Sequence, residues 1–217
     1  MQSLDVFLPR VLLKANGCSD PLARQAVLDS CIEFCEESHI VQFTSAPQPV
    51  VEGLMTYELD TPADQEVSAT LRVWYGTRQL SPATPDQIDT ILAYVDTAGG
   101  QTPPKGEPSV FFESSPGVIA IYPAPNQTAP SMFSARVASR PARIATTVED
   151  ILYKDWVEAI VAGALARICS VPNQFFSSDA VAARGAAEFR YGVNRASSIR
   201  RRGRVEASLS IRVRGLA

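Results

Sequence analysis

Between Ile40 and Arg143 most of the chain's sixteen prolines break the sequence into short pieces. A proline inside a helix or a central strand removes a backbone donor and forces an interruption. What survives between the breaks is β-like. VVEGLMTYEL (50–59), EVSATLRVWYG (66–76), SVFFES (109–114), GVIAIYP (117–123) and SMFSARVAS (131–139) have the length and residue types of strands. Short strands separated by turns predict an antiparallel sheet or a small sandwich. One segment differs: TPDQIDTILAYV (84–95) places a proline at a first helical position and predicts a short helix. The loop TAGGQTPPKGEP (97–108) that follows is dense in turn residues.

Both ends of the chain read as helix. Ser19-Asp20-Pro21 supplies a capping side chain before a proline at the first helical position. Leu22, Val27, Leu28, Cys31, Ile32 and Cys35 then recur near helical spacing, with Asp29, Glu33, Glu36 and Glu37 on the other side. This predicts an amphipathic helix over 20–38. Residues 1–16 read as an irregular or partly extended arm, because Pro9 interrupts any helix there. After the β-like region, Thr147 to Asp150 read as a capping sequence. Ile151, Leu152, Trp156, Ile160, Val161, Leu165 and Ile168 form one apolar face of a helix over 148–170, which Pro172 ends. Small residues in AIVAGALA (159–166) allow a second helix to approach closely, and a further helix is predicted over 178–198. The fold class is α+β.

No run reaches the roughly 20 apolar residues of a membrane span, and Glu158 and Arg167 interrupt the most apolar stretch, 156–171. The first residues lack a basic segment followed by an apolar one, so no secretory signal is predicted, and synthesis in the cytoplasm is the expectation. Cys31 and Cys35 lie four apart on one helix face but continue its apolar stripe, where a free cysteine packs like a small hydrophobe. With a single histidine in the chain, no metal site is expected. Neither a phosphate-binding glycine loop nor a nucleophile elbow is present, and His39 has no nucleophile near it in sequence. No catalytic residue and no cofactor are therefore assigned.

The C-terminus carries the strongest charge signal. From Arg184 onward there are nine arginines and two glutamates, a balance of +7, which leaves −10 on the rest. Arg200, Arg201, Arg202 and Arg204 form a basic cluster that could meet phosphates. Beyond it Val205, Ala207, Leu209, Ile211 and Val213 alternate with Glu206, Ser208, Ser210 and Arg212, the period of a strand with one apolar face. A disordered terminus and a DNA-binding arm are the alternatives. Five alternating apolar residues add little to phosphate binding, so a partner-binding strand is favoured, unfolded in the free subunit.

The segment GEPSVFFESSPGVIAIYPAP (106–125) is a hairpin by its residues: Pro116-Gly117 makes the turn, and Pro123 and Pro125 stop the ladder. With SMFSARV and the helix TVEDILYKDWVEAIVAGALARI downstream, it resembles the head-to-tail adaptor (connector, or tail tubular protein A-like) proteins of tailed bacteriophages. The resemblance covers roughly 19–200. It implies a layout in which helices from both chain ends form a bundle (1–39 and 146–199), a β-rich domain (40–145) is inserted apart from it, and a basic strand-like tail (200–217) follows. It also implies a virion protein of the head-tail interface that forms a ring, commonly of twelve copies, between the portal and a downstream tail or nozzle protein. Genomic DNA would pass through its lumen without sequence-specific contact. A soluble nucleic-acid-binding module using the basic C-terminus is the competing reading.

Overall fold

A computed structural model describes residues 1–97 and 104–202. Along the chain come β1 (Gln2–Ser3), a 3-10 turn (Leu4–Val6), α1 (Leu8–Leu12), α2 (Asp20–Ser38), β2 (Gln42–Thr44), β3 (Gln48–Val50), β4 (Thr56–Glu58), β5 (Gln65–Tyr75), β6 (Arg78–Gln79) and β7 (Ser81–Pro82). They continue with α3 (Pro85–Thr97), β8 (Lys105–Gly106), β9 (Val110–Ser115), β10 (Val118–Tyr122), β11 (Ala124–Pro125), β12 (Ala129–Pro141) and β13 (Thr147–Val148). Three helices close the described chain: α4 (Asp150–Lys154), α5 (Val157–Cys169) and α6 (Asp179–Arg202). The protein is a mixed α+β structure whose sheets are mainly antiparallel. Two short pairings, β7 with β9 and β8 with β11, run parallel.

The β-rich segment folds as predicted from its short strands. One sheet has the order β4-β10-β9-β7 and the other β2-β12-β5-β6, with β3 also on β12. Side chains of a strand alternate between faces, and here the inner faces meet. Tyr57, Phe111, Ile119 and Ile121 from the first sheet pack with Val73, Tyr75, Phe133, Ala135 and Val137 from the second. Tyr57 stacks on Phe133 at 4.8 Å. The alternate residues of the first sheet, Phe112 and Ala120, are covered by Ile88 and Ile91 of α3. The layers therefore run α3, first sheet, second sheet.

A separate core joins the helices. Phe7, Val11, Val27, Cys31, Phe34, Leu152, Trp156, Ile160, Leu165, Ile168, Phe189 and Val193 belong to one buried cluster. Phe34 of α2 lies 5.4 Å from Trp156 and 6.0 Å from Phe189 of α6, so α2, α5 and α6 share one packing point. Arg167 sits among them. It pairs with Glu33, donates to the Ser30 hydroxyl at 2.9 Å, and lies 5.7 Å from the Phe189 ring.

Several sequence expectations are corrected. Residues 1–16 are not an irregular arm: Leu4, Phe7, Leu8 and Val11 are buried at helical spacing, and Pro9 stands in the first turn of α1, where its missing N–H is no loss. Thr147 does not cap a helix; it pairs in β13 with β1 and donates its hydroxyl to Asp64 at 2.9 Å. The run 50–59 is strand only at its two ends, because Gly53 takes a left-handed turn (φ 77°). The helix foreseen over 148–170 is two helices, since Trp156 leaves helical geometry (φ −127°, ψ 12°) where its ring enters the core. Past Pro123 the chain does not leave pairing, because Ala124 and Pro125 run beside β8.

Nor is the β-rich segment detached from the helices. Val41, Ala142, Ala145 and Val148 belong to the helical core. Arg140 of β12 pairs with Glu36 of α2 and, at 3.1 Å, with Glu66 of β5. The Ser139 hydroxyl donates to Gln65 at 2.7 Å, and the Gln65 amide donates to Glu149 at 2.5 Å. A polar seam thus joins two apolar cores.

Trp156 is 7% exposed and touches both chain ends. Trp156→Ala is expected to destabilise the fold by roughly 3–5 kcal/mol, read by chemical denaturation; an unchanged midpoint would contradict the packing.

Candidate assembly surfaces

The small residues noticed in the sequence set how closely α5 and α6 approach. A Cβ added to Gly185 would lie 2.6 Å from the Ala162 carbonyl oxygen, and one on Gly163 would lie 2.5 Å from the Phe189 ring. A Cβ on Gly192 would run into Ala159. These glycines let the two backbones touch, and α6 is thereby held along its length.

That support carries α6 past the predicted end at 198. Arg200, Arg201 and Arg202 form its last turn rather than the start of an extended tail. The physical reason is available in the sequence: arginine is a good helix former, and cations at a helix C-terminus complement its dipole. Ile199 packs against the helical core. Arg200 is half-buried, its Nε shut from solvent without a hydrogen-bond partner, while Arg201 and Arg202 are exposed. The latter two present the more exposed charge to a phosphate or a carboxylate. Arg204 and the strand residues Val205, Ala207, Leu209, Ile211 and Val213 lie outside the described residues.

His39 closes α2 in the left-handed conformation (φ 49°), its N–H donating to the Cys35 carbonyl at 2.8 Å. Its Nδ1 is buried without a partner. Desolvation first, and the Arg200 charge second, hold its pKa below the ordinary value. Burial pushes the thiols of Cys31 and Cys35 well up, consistent with packing rather than reactivity. Among the described residues no three His, Cys, Asp or Glu side chains gather as a metal site would require.

A largely apolar groove of about 480 Å³ lies beside α5 and α6, lined by residues that include Trp156, Ala159, Tyr191 and Arg195. The Trp156 Nε1 is buried there without an acceptor, and Arg195 stands 6.0 Å from the indole centre. Tyr191 is 71% exposed. No described helix is long and apolar enough to cross a membrane.

Residues 12–214 match the model of the SU10 adaptor protein family, a phage head-to-tail adaptor family. The chain belongs to that family. Among curated proteins no relative matches it. The match takes in α2 through α6 and continues through the positions of the alternating tail.

The arginine cluster is thus helical where an extended tail was expected, and one surface was missed. The missed surface is the outward face of the second sheet, where Arg72 and Arg136 stand opposite each other. Alternation of β5 marks Arg72 as outward, but the sequence does not reveal that its cross-strand neighbour is another arginine.

Two measurements check these placements. Gly192→Leu is expected to cost about 3 kcal/mol or slightly more, as overpacking at a helix contact does, with no effect if α5 and α6 do not touch. For His39, the unfolded chain binds a proton more readily than the folded one as pH falls below about 6.5. Stability should therefore decline from pH 7 toward pH 5, and His39→Gln should flatten that part of the profile.

Proposed function

We propose that this adaptor is a structural virion protein that forms a ring, of twelve copies, joining the portal to a downstream tail or nozzle protein and extending the DNA channel. The observation that carries the reading is the family match over residues 12–214, laid on a fold that has helices at both ends and a β-sandwich between them. In this reading the helices of 1–39 and 146–199 are one bundle, 40–145 is an inserted domain, and the chain beyond Arg202 is a tail. The arrangement suits a ring subunit, which needs two lateral surfaces and two ends. The shared helical core would fix one end, and the sandwich would offer the flanks.

The acidic balance of −10 outside the C-terminal segment suits a channel wall, since like charge keeps a moving polyanion from sticking. The tail completes the proposal. Val205, Ala207, Leu209, Ile211 and Val213 lie within the span that matches the family, which supports reading the segment as part of the adaptor rather than as a stray appendage. An added strand satisfies its backbone groups and buries its apolar face only against a partner's sheet or groove. We assign that partner role to the portal or a neighbouring adaptor, in a particle assembled in the host cytoplasm. The arginines of the last helical turn would then face acidic partner surfaces.

The test is particle assembly with two variants. Leu209→Asp places a charge on the apolar face and is expected to leave the subunit folded while blocking its attachment. Arg200, Arg201 and Arg202 replaced by lysine should attach normally. Normal assembly by Leu209→Asp, together with loss of DNA retention when the arginines are removed, would favour a nucleic-acid-binding module instead.

A further inference from the structure

The second sheet carries a charge arrangement that is unfavourable as it stands. Arg136 of β12 pairs directly with Arg72 of β5, and both are exposed. Val73 and Tyr75 point into the sandwich core, so Arg72 points to the opposite face. Directly opposed residues hold their Cβ atoms about 4.5–5.5 Å apart, and like charges there repel. Among the described residues neither guanidinium has a carboxylate within ion-pair distance. Arg136 faces Thr44 of β2 on its other side, which offers no charge either. Arg78 and Arg140, by contrast, each have an acid beside them.

The other outer layer of the sandwich carries the complement. Helix α3 lays Ile88 and Ile91 on the first sheet, which leaves Asp86 and Asp89 on its exposed side. They are three residues apart, the spacing that brings Cβ atoms to about 5–6 Å on one helix face. Neither carboxylate has a cation within ion-pair distance among the described residues. The Thr90 hydroxyl donates to the backbone carbonyl of Asp86 at 2.8 Å, which leaves its carboxylate unengaged.

We infer that the Arg72–Arg136 pair of one copy receives the Asp86–Asp89 pair of the next. The two spacings match, the charges are opposite and unpartnered, and the two patches lie on opposite outer layers of the same sandwich. An interface between different patches on opposite faces is head-to-tail, and such contacts close into rings when the rotation permits. A second copy is favoured over DNA as occupant because the complementary acids are on this chain, at the spacing the arginines present. The inference rests on the ring reading and specifies its lateral contact.

The experiment measures assembly mass by light scattering for wild type, Arg72→Glu/Arg136→Glu, Asp86→Arg/Asp89→Arg and the four-fold swap. Each double variant is expected to need at least tenfold more protein to assemble, and the swap to regain assembly within about threefold of wild type. All four positions are exposed, so circular dichroism should be unchanged; Arg72→Gln/Arg136→Gln, which reverses no charge, guards against misfolding and should weaken assembly less. Doubles that assemble like wild type would overturn the inference while leaving the ring intact. A four-fold swap no better than the doubles would also overturn it, as would unaltered assembly with loss of DNA binding. A wild-type chain that is monomeric at every concentration would instead remove the ring reading itself.

Discussion

The aromatic contact at Phe34 is what the remainder of the molecule depends on. Phe34 comes from the N-terminal helix α2, while Trp156 and Phe189 come from the two sides of the α5–α6 pair. The whole β-rich segment, α3 included, intervenes, so the helical core forms only when the two ends of the chain return to each other. Bringing them together has an entropic cost that grows slowly with loop length, and burial of this cluster offsets it. The glycines on α5 and α6 make the contact possible by removing the side chains that would hold the backbones apart. Once closed, the core fixes where both termini of the intervening sandwich begin and end.

The sandwich is then oriented by polar rather than apolar contacts. Arg140 bridges Glu36 and Glu66, and Gln65 links Ser139 to Glu149. Exposed ion pairs contribute little singly. Their value here is direction, since they connect α2, β5, β12 and the approach to α4 at one seam. Two cores joined in this way leave most of the sandwich surface uncommitted, including the outer face of the second sheet and the exposed side of α3. In the ring reading proposed above, these surfaces would carry the lateral contact.

Much of this organisation was legible because it is written in local pattern. The 20–38 helix, the strands at 66–76, 109–114 and 117–123, and the Pro116-Gly117 turn all follow from periodicity and turn chemistry, and the structure has them with small shifts in boundary. Pro9 misled because a proline in the first turn of a helix reads the same as one that breaks it; the spacing of Leu4, Phe7, Leu8 and Val11 was the stronger signal. Arg200 to Arg202 misled because a run of like charge suggests a tail, whereas the propensity of arginine and the packing of Ile199 extend the helix. The seam at Arg140 and the opposition of Arg72 and Arg136 depend on strand register. Register is set by long-range pairing and by two irregularities in β12 against β5, which no local window contains.

The central claim is that the chain works as a copy within a closed ring at the head-tail junction. Cryo-electron microscopy of intact particles tests it most directly, by locating this chain and counting its copies. The account predicts density for twelve adaptors around the channel directly below the portal, with their helical cores and sandwiches each resolved once per subunit. A junction without this chain, or the chain present as isolated subunits bound along DNA, would contradict it.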